Sequence, residues 1–309
     1  MRILYMGTPD FAVPTLAELL NRGHEIVGVV TQPDKPQGRH MTLTPPPVKK
    51  YALEKGIKVY QPETLKNNAF KEDIEFLSPE LIVVVAYGKI LPEYILNFPK
   101  YGCINLHGSL LPKYRGAAPM QRSIIDGEEM IGATVMYMEK GLDTGDMIST
   151  MSFKLEDDMN LEYVHDRLSS EGAKLLADTV EGLTQERIGT PQDHERSTYA
   201  AKIEKEDLVL SFDMSARQLH NKVRGLSPVP LVYANLNGRK IKFKRTVIAE
   251  EESNNEQVGK VVEISSKGIR ILCAKGSVYL CELVPEGKKT MDSASFVNGR
   301  GCSVGDSFN

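Results

Sequence analysis

Short apolar runs separated by helical patterns make up the first half of the chain. The runs are nearly free of polar residues, and they lie at residues 2–6, 24–31, 81–86 and 103–107. Strands of this kind are buried on both faces, as in parallel sheets that carry helices on each side. The pattern therefore predicts an α/β domain with a mainly parallel, Rossmann-like sheet. Because ligands of such sheets bind at the carboxyl ends of the strands, candidate chemistry is expected there.

The second half of the chain has a different pattern. Apolar residues at helical spacing predict one long amphipathic helix over residues 160–182, and periodicity is lost over residues 183–204. Further along, short β segments are separated by turn sequences such as Asn-Gly and Lys-Gly. This spacing predicts a small antiparallel, OB-like β-barrel at the C-terminal end of the chain. Its predicted strands lie at residues 229–234, 240–247, 257–264, 268–273 and 277–284.

These patterns predict two domains, and the charges of the two differ. The predicted boundaries are residues 1–188 for the α/β domain, 189–206 for a linker and 207–309 for the barrel. Residues 205–309 carry 16 Lys and Arg against 12 Asp and Glu, a balance of +4. Residues 1–204 carry 22 against 29, a balance of −7, so the net charge of −3 hides an asymmetry. Such a difference indicates two domains with different partners.

Composition places the chain among ordinary globular proteins. Its 309 residues are 41% hydrophobic and 26% charged, and no apolar run approaches the ~18 residues that a membrane span needs. The first residues form a strand directly, so no secretory leader is expected. The four cysteines lack close pairing, which argues against a disulfide framework and against a zinc site. We therefore expect a cytoplasmic protein that is a monomer and contacts no membrane.

Residues 103–119 concentrate the groups that can carry out chemistry. Asn105 and His107 lie two residues apart at the end of a predicted strand, so their side chains leave the same face of the sheet. Gly108 follows and lets the backbone approach a ligand. An amide and an imidazole aimed at one point can stabilise an oxyanion, and we interpret Asn105 and His107 as catalytic. The alternative is that both are buried polar groups that satisfy loop carbonyls.

A carboxylate is expected beside this imidazole, because it would orient the ring and assist proton transfer. The loop over residues 139–146 supplies Glu139, Asp143 and Asp146, and spacing alone leaves the choice open. Ser109 could be a nucleophile, but the chain has no GxSxG elbow. Metal hydrolysis would need more His or carboxylate ligands than cluster in this segment. The residues therefore favour catalysis without a covalent intermediate or a metal ion.

One motif resembles that of a known family. The segment Asn-Leu-His-Gly-Ser-Leu-Leu-Pro at residues 105–112, with Lys-Tyr-Arg-Gly-Ala-Ala-Pro after it, is similar to the signature of the 10-formyltetrahydrofolate-dependent formyltransferases. Segments at 7–11, 31–49, 85–92 and 285–291 extend the resemblance over nearly the whole chain, and they narrow it to members that act on methionyl-tRNA. The resemblance implies formyl transfer from 10-formyltetrahydrofolate to the α-amine of methionyl initiator tRNA, which supports translation initiation. The alternative is a formyltransferase that acts on a nucleotide-sugar or other small amine, since such enzymes share the catalytic set.

The resemblance also implies roles for individual residues. It makes Asp143 the catalytic carboxylate, which holds His107 and assists proton transfer, while Asn105 and His107 stabilise the oxyanion. It implies 10-formyltetrahydrofolate as co-substrate and no metal ion. The residues that it places around the folate are Ser109, Leu110, Leu111, Pro112, Tyr87, Gly88, Ile90 and Leu91.

A basic stretch without acidic residues runs from 214 to 249 and contains eight Lys and Arg. Within it, three lysines alternate with Ile241 and Phe243, so a strand here would turn its ammonium groups outward. A basic barrel face gives salt-dependent affinity for phosphates, whereas the alternative is a solvated edge strand that protects against aggregation. Together with the resemblance, the stretch is interpreted as a tRNA-binding face. Its predicted tRNA contacts are Lys222, Arg224, Lys240, Lys242 and Lys244.

The loop over residues 32–46 is a second predicted tRNA contact. The resemblance implies that it enters the acceptor stem, with Arg39 as the reading residue. The sequence departs from some relatives here, because Arg39-His-Met-Thr-Leu has fewer basic residues than their lysine-rich loops. It also has Leu226-Ser-Pro-Val-Pro where many relatives have Asn-Pro-Trp-Pro. A non-catalytic RNA-binding protein is the alternative from another class, and the Asn-His-Asp set argues against it.

Overall fold

The computed structural model describes residues 1–37 and 41–309 of the chain. These residues pack into two compact units. Unit 1 comprises Met1–Pro119, Gly132–Phe153 and His165–Ala200. Unit 2 comprises Met120–Ile131, Lys154–Val164 and Ala201–Asn309.

Strands and helices alternate over the first 200 residues, as the apolar runs predict. The alternation is interrupted where two strands follow each other directly, as in the antiparallel hairpin of Lys35–Gln37 and Thr42–Thr44, and residues 38–40 between the strands of that hairpin lie outside the described residues. In chain order the elements are β1 (Arg2–Gly7), α1 (Val13–Asn21), β2 (Glu25–Val30), β3 (Lys35–Gln37), β4 (Thr42–Thr44), α2 (Pro47–Glu54), β5 (Val59–Tyr60), α3 (Lys71–Leu77), β6 (Leu81–Val85), α4 (Glu93–Leu96), β7 (Cys103–His107), β8 (Arg115–Gly116), α5 (Pro119–Asp126), β9 (Met130–Tyr137), β10 (Met147–Lys154), α6 (Leu161–Glu181) and β11 (Tyr199–Ala200).

Seven of these strands form one sheet in the order β10-β9-β7-β6-β1-β2-β5. β1 pairs in parallel with β2 and β6, β6 with β7, and β2 with β5. β9 pairs antiparallel with β7. Because the four pairs named before it are parallel, the sheet is mainly parallel, and the predicted α/β class is confirmed. All residues of β6 are buried, which explains why its sequence is an uninterrupted apolar run. Because β6 and β7 are parallel neighbours, their carboxyl ends lie side by side.

The C-terminal part of the chain is rich in antiparallel strands, as predicted. They pack with two helices around a shared apolar core that includes Leu219, Phe243, Ile271 and Leu280. In chain order the elements are α7 (Ala216–Gly225), β12 (Val232–Leu236), β13 (Arg239–Asn254), β14 (Val261–Ser265), β15 (Gly268–Leu272), β16 (Lys275–Pro285), β17 (Met291–Asp292) and α8 (Ser293–Asn298).

The last residues of the chain connect the two edges of this second sheet. Its order is β12-β13-β16-β15-β14, with β17 on β16, so β12 and β14 are the edge strands. Phe308 bridges Leu236 of β12, and Ser307 bridges Lys260, which precedes β14. The sheet is thereby closed around its core, as in a small β-barrel. The OB-like topology stays a prediction.

The segment predicted as a linker contains structure of its own. Helix α6 ends at Glu181, close to the predicted end at 182, and the chain then runs to β11 through a short 3-10 helix at His194–Arg196. β11 pairs in parallel with β8, and the Thr190 main chain pairs with that of Met147. The predicted linker as far as Ala200 therefore belongs to unit 1.

The described residues contain neither a membrane span nor a disulfide. Each helix within residues 1–37 and 41–309 is too short or too polar to cross a membrane. Cys103, Cys273, Cys281 and Cys302 are all buried and free. The cysteines therefore contribute apolar volume to the interior.

Candidate active site

Asn105 and His107 lie at the carboxyl end of β7, an interior strand of the sheet. They occupy alternate positions of the strand, so they share a face, as predicted. His107 is only 6% exposed, whereas Asn105 is half-buried. β7 brings both groups to the edge where the parallel strands end.

The imidazole of His107 is held by a main-chain carbonyl. Its Nε2 lies 2.9 Å from the carbonyl oxygen of Tyr114, and a carbonyl can only accept a hydrogen bond. Nε2 therefore carries a proton, and Nδ1 is the atom available for chemistry. Nδ1 faces the carboxylate of Asp143, with Oδ2 at 3.7 Å. This distance is too long for a hydrogen bond but close enough for strong electrostatic interaction, and such pairs often tighten when substrate binds.

Asp143 is the carboxylate that the structure brings to His107. Its side chain is 12% exposed, and Oδ2 accepts a hydrogen bond of 2.8 Å from the Gly116 main-chain N–H. Its backbone is left-handed, with φ of +52°, a conformation that non-glycine residues adopt only when their surroundings hold it. Of the three carboxylates that spacing left open, Asp143 thus has the contact expected of the catalytic one.

Gly116 cannot be replaced without strain. Its φ is +118°, and a Cβ there would lie 2.7 Å from the Tyr199 ring and 2.8 Å from the Ala200 carbonyl oxygen. We expect Gly116→Ala to lower the free energy of unfolding by about 2 kcal/mol or more, because φ strain and steric overlap add. Urea unfolding measures this loss. Gly305→Ala is the control, since Gly305 also has positive φ but has open space around its Cβ position. Equal losses in the two variants would contradict the steric argument.

Thr134 is a buried site residue that sequence reasoning missed. Its Oγ1 donates to the Ser109 carbonyl at 2.8 Å and accepts from the Leu111 N–H at 3.1 Å. It thereby fixes the turn that follows β7. A polar residue inside the apolar run of β9 was the signal that could have found it.

The Ser109 hydroxyl is engaged by the main chain. It donates to the Lys113 carbonyl at 2.7 Å, and both nitrogens of His107 face other groups. The hydroxyl therefore shapes the turn that follows β7.

The eight residues predicted to surround a folate follow the ends of two neighbouring parallel strands. Residues 109–112 follow β7, and residues 87–91 follow β6. Ile90 is 84% exposed, an unusual position for a large apolar side chain, and Gly88 is exposed beside it. Leu91 and Leu111 are buried, while Leu110 and Pro112 are half-buried. The strand ends thus present both exposed and interior apolar groups to one edge of the sheet.

Tyr87 differs from this group, because its ring lies in the core. It packs with residues such as Leu4 and Ile82, and its hydroxyl has no hydrogen-bond partner among the described residues. Burial raises the pKa of Tyr87 to about 12. Its carbonyl accepts hydrogen bonds from Thr8 and Gln32, so Tyr87 ties the end of β6 to neighbouring loops.

The start of the 32–46 loop is anchored by an ion pair. Lys49 Nζ lies 2.8 Å from both oxygens of Asp34 and 2.7 Å from Gln61 Oε1. The hydrogen bond from Lys49 lowers the pKa of the Asp34 carboxyl. Arg39, the predicted reading residue, lies outside the described residues.

Two of the predicted tRNA contacts on α7 already make hydrogen bonds to other residues of unit 2. Arg224 is 7% exposed, and its guanidinium donates to Asn221 Oδ1 at 3.0 Å and to the Glu156 carbonyl at 2.7 Å. Burial lowers the pKa of Arg224 and also that of Lys222, whose ammonium donates to the Val209 carbonyl. Arg224 is therefore built into the structure rather than presented to solvent.

The lysines of β13 alternate with buried apolar residues, as predicted. Ile241 and Phe243 lie in the core, and Lys242 between them is exposed. Lys240 lies over the Tyr233 ring, with Nζ 4.1 Å from the centroid, and Lys244 is 3.1 Å from Glu282. Lys242 is thus the lysine of this strand most open to a phosphate.

Metal-ligand clusters are absent from the described part of the chain. Within residues 1–37 and 41–309, no group of three or more His, Cys, Asp and Glu side chains could hold a metal ion. The prediction that the reaction needs no metal stays a prediction.

An amide and an imidazole at the end of β7, with the carboxylate of the loop after β9 beside the imidazole, are groups that can catalyse group transfer. Residues 1–180 match the family model described as formyl transferase, and residues 202–301 match that of the formyl transferase C-terminal domain. The chain belongs to the formyl transferase family.

Curated relatives match nearly the whole chain. The methionyl-tRNA formyltransferase of Desulforamulus reducens is 46% identical over 99% of this chain and 96% of that protein. That of Bacillus subtilis is 45% identical over 99% of this chain and 96% of that protein. Among solved structures, HypX from Aquifex aeolicus in complex with tetrahydrofolic acid has a TM-score of 0.65 at 16% identity, and the match covers 98% of this chain and 48% of that one. This last likeness is one of fold.

Proposed function

We propose that this protein transfers the formyl group of 10-formyltetrahydrofolate to the α-amine of methionyl initiator tRNA, and so supports translation initiation. The observation that carries the proposal is the identity of 45–46% with relatives named methionyl-tRNA formyltransferase along 99% of the chain. The position of Asp143 beside His107, at the end of β7, supports it independently.

Asn105 and His107 stabilise the oxyanion in this proposal. The amine nitrogen attacks the formyl carbon, a C–N bond forms, and the carbonyl oxygen becomes negative. Asn105 donates an N–H to that oxygen, and Nδ1 of protonated His107 donates a second one, because its Nε2–H is engaged by Tyr114. Donors of this kind each contribute about 3–4 kcal/mol to the transition state.

Asp143 supports the charge on His107 and the movement of the proton. The amine loses a proton as the new bond forms, and N10 of tetrahydrofolate gains one as its bond to the formyl carbon breaks. The Asp143 carboxylate accepts the proton that the amine loses, and it stabilises the imidazolium of His107. The imidazolium gives its Nδ1 proton to N10, and the proton on Asp143 then returns to Nδ1. No covalent intermediate and no metal ion are required.

Residues 109–112 and 87–91 hold the folate in this proposal. They follow neighbouring parallel strands, and exposed Ile90 offers an apolar surface for a pteridine or benzoyl ring. Tyr87 supports the site from the core. A solved structure of the same fold contains tetrahydrofolic acid, which supports a folate as the co-substrate.

The tRNA is held by the basic strand of unit 2 and by the 32–46 loop. The proposed surface consists of Lys222, Lys240, Lys242 and Lys244, with Arg39 reading the acceptor stem. Arg224 is left out of this surface because of its burial. Residues 1–188 then act as the catalytic domain, 189–206 as the connection and 207–309 as the tRNA-binding domain. We also propose that the protein is a cytoplasmic monomer and that it contacts no membrane.

A side-by-side assay of amines tests the proposed reaction. Methionyl initiator tRNA and a nucleotide-linked amino sugar are each supplied with 10-formyltetrahydrofolate. We expect kcat/KM for the tRNA to exceed that for the sugar by at least about 100-fold, because the sugar lacks contacts that the tRNA domain provides. Faster formylation of the sugar would establish the alternative function, and absence of folate binding would point to a non-catalytic RNA-binding protein.

Acceptor-stem variants of the initiator tRNA test the loop. If residues 32–46 read the stem, changes in its end base pairs are expected to lower kcat/KM while distant changes do not. Insensitivity to the stem would remove the reading role from this loop and from Arg39.

Lys242→Gln is expected to weaken tRNA binding without altering chemistry. Losing one phosphate contact should raise KM for tRNA a few-fold and reduce the slope of log affinity against log salt by about 1, at unchanged kcat. Lys275→Gln is the control, because Lys275 is ion-paired with Glu252 and is not in the proposed surface. Equal salt slopes for both variants and the parent would refute a phosphate contact by Lys242.

A further inference from the structure

The catalytic carboxylate is held at two points. The Asp143 side chain accepts the Gly116 N–H at 2.8 Å, and its main-chain carbonyl accepts from Gln192 Nε2 at 3.0 Å. Both contacts fix a residue with left-handed backbone, which an unrestrained aspartate would leave. The loop around Asp143 therefore depends on partners outside itself for its conformation.

Gln192 uses all of its polar atoms in this region. It is 5% exposed, and Nε2 also donates to the Gly145 carbonyl at 2.7 Å. Its Oε1 accepts from Arg115 Nε at 3.1 Å and Nη2 at 2.6 Å. Carbonyls only accept and a guanidinium only donates, so the orientation of the amide is fixed by chemistry. No other residue type of this length could make all four contacts.

These contacts connect the main chain of Asp143 to its own carboxylate by way of Gln192, Arg115 and Gly116. Gln192 connects the Asp143 carbonyl to Arg115, and Arg115 precedes Gly116, whose N–H holds the Asp143 carboxylate. The same strand, β8, is paired with β11. A shift of Gln192 would therefore move both the backbone and the carboxylate of Asp143 relative to His107.

We propose that Gln192 is a positioning residue for Asp143. Gln192 lies between the two family matches, the first of which ends at residue 180 and the second of which begins at residue 202. It belongs to the segment that was predicted to be a linker. The effect on rate rests on the proposed function, whereas the effect on the geometry of Asp143 does not. A misplacement of about 1 Å at a reacting group can cost about 100-fold in rate, so a residue of this kind matters without touching substrate.

Two replacements of Gln192 test whether its hydrogen bonds, rather than its volume, position Asp143. Gln192→Glu keeps the length and the acceptor for Arg115 but removes both donors to the 143 and 145 carbonyls. Gln192→Met keeps the length of the side chain and avoids a buried carboxylate. It replaces Gln192→Glu in the experiment if that variant unfolds. Glu195→Gln is the control, an exposed position of the same segment. Urea unfolding of all variants identifies those that fold as the parent does.

Kinetics and a double-mutant cycle give the first readout. We expect the Gln192 variants to lose about 10–100-fold in kcat, with KM for folate and tRNA changed less than about threefold. In an Asp143→Asn background the same changes should cost less than about threefold, because the residue acts through the carboxylate. A full loss in that background, or a rise in KM at unchanged kcat, would overturn the proposal.

The Gly116 amide resonance gives a readout that needs no activity. An N–H that donates to a carboxylate resonates downfield, and we expect it to move upfield in both Gln192 variants and to stay in Glu195→Gln. If it stays in place while kcat falls, Gln192 does not act through Asp143. If the parent protein formylates no tRNA but the resonance moves, the proposed function fails and the positioning role stands.

Discussion

Replacement of His107 by alanine is expected to lower kcat/KM for methionyl-tRNA by about 10³-fold or more. The change removes the proposed oxyanion donor and the proposed proton donor to N10, and each of these effects alone is worth about 10²-fold or more. The loss should fall on kcat, since both effects act in the transition state. Steady-state kinetics with saturating folate measures it.

His107→Ala also has a structural cost that must be separated from the catalytic one. His107 is buried, and its removal leaves the Tyr114 carbonyl without this donor, which costs about 1–3 kcal/mol of stability. His220→Ala is the matched control, because its buried imidazole likewise contacts a main-chain carbonyl, that of Asp157. We expect similar destabilisation from both changes and a large loss of kcat only from the first. A His107→Ala enzyme with most of its kcat would exclude His107 from the chemistry.

Asp143→Asn is expected to lower kcat by about 10²-fold or more. Asparagine keeps the size of the side chain and an acceptor for the Gly116 N–H, but it cannot stabilise an imidazolium at Nδ1 of His107. Stability should change little, and KM for both substrates should stay close to that of the parent. Single-turnover measurements isolate the chemical step from product release.

Asp146→Asn provides the matched control for Asp143. It lies in the same loop, it was an equal candidate from spacing, and its main-chain carbonyl accepts from the Tyr137 N–H. The substitution is expected to leave kcat within about threefold, since the carboxylate that faces His107 within the described part of the chain is that of Asp143. The reverse result, with activity lost in Asp146→Asn and kept in Asp143→Asn, would transfer the catalytic role.

The acid-free basic stretch shows what a linear charge count can and cannot predict. Its strand alternation was correctly predicted, because period-two patterning fixes which side chains face the core. The number of unpaired basic side chains on the stretch was not correctly predicted. Arg217 pairs with Asp157 and Glu251, and Arg245 and Lys244 pair with Glu282, all from outside the stretch. Charge neutralisation depends on which strands become neighbours, and β16 supplies Glu282 opposite Arg245.

Most elements that the sequence predicted lie within a few residues of their predicted bounds, whereas β13 runs to Asn254, past its predicted end at 247. β7 matches its prediction at both ends, and α6 differs by one residue at each end, because apolar periodicity marks these elements without help from the rest of the fold. The linker was the weaker prediction. β11 is two residues long and is stabilised by pairing with β8, so no local pattern could reveal it.

The sequence by itself determined the α/β class, the position of Asn105 and His107 on one face of β7, and the family. These features depend on strand periodicity and on a contiguous motif, both of which are local. The family motif assigned Asp143 to His107, but only the tertiary structure decided the geometry between them, that Tyr114 fixes the ring nitrogen left for chemistry, and that Gln192 connects Arg115 to the Asp143 main chain. Each of these contacts joins main-chain or side-chain atoms that lie 7 to 77 residues apart along the chain. Their geometry is set by how the strands and loops pack, and that information is not present in any single segment.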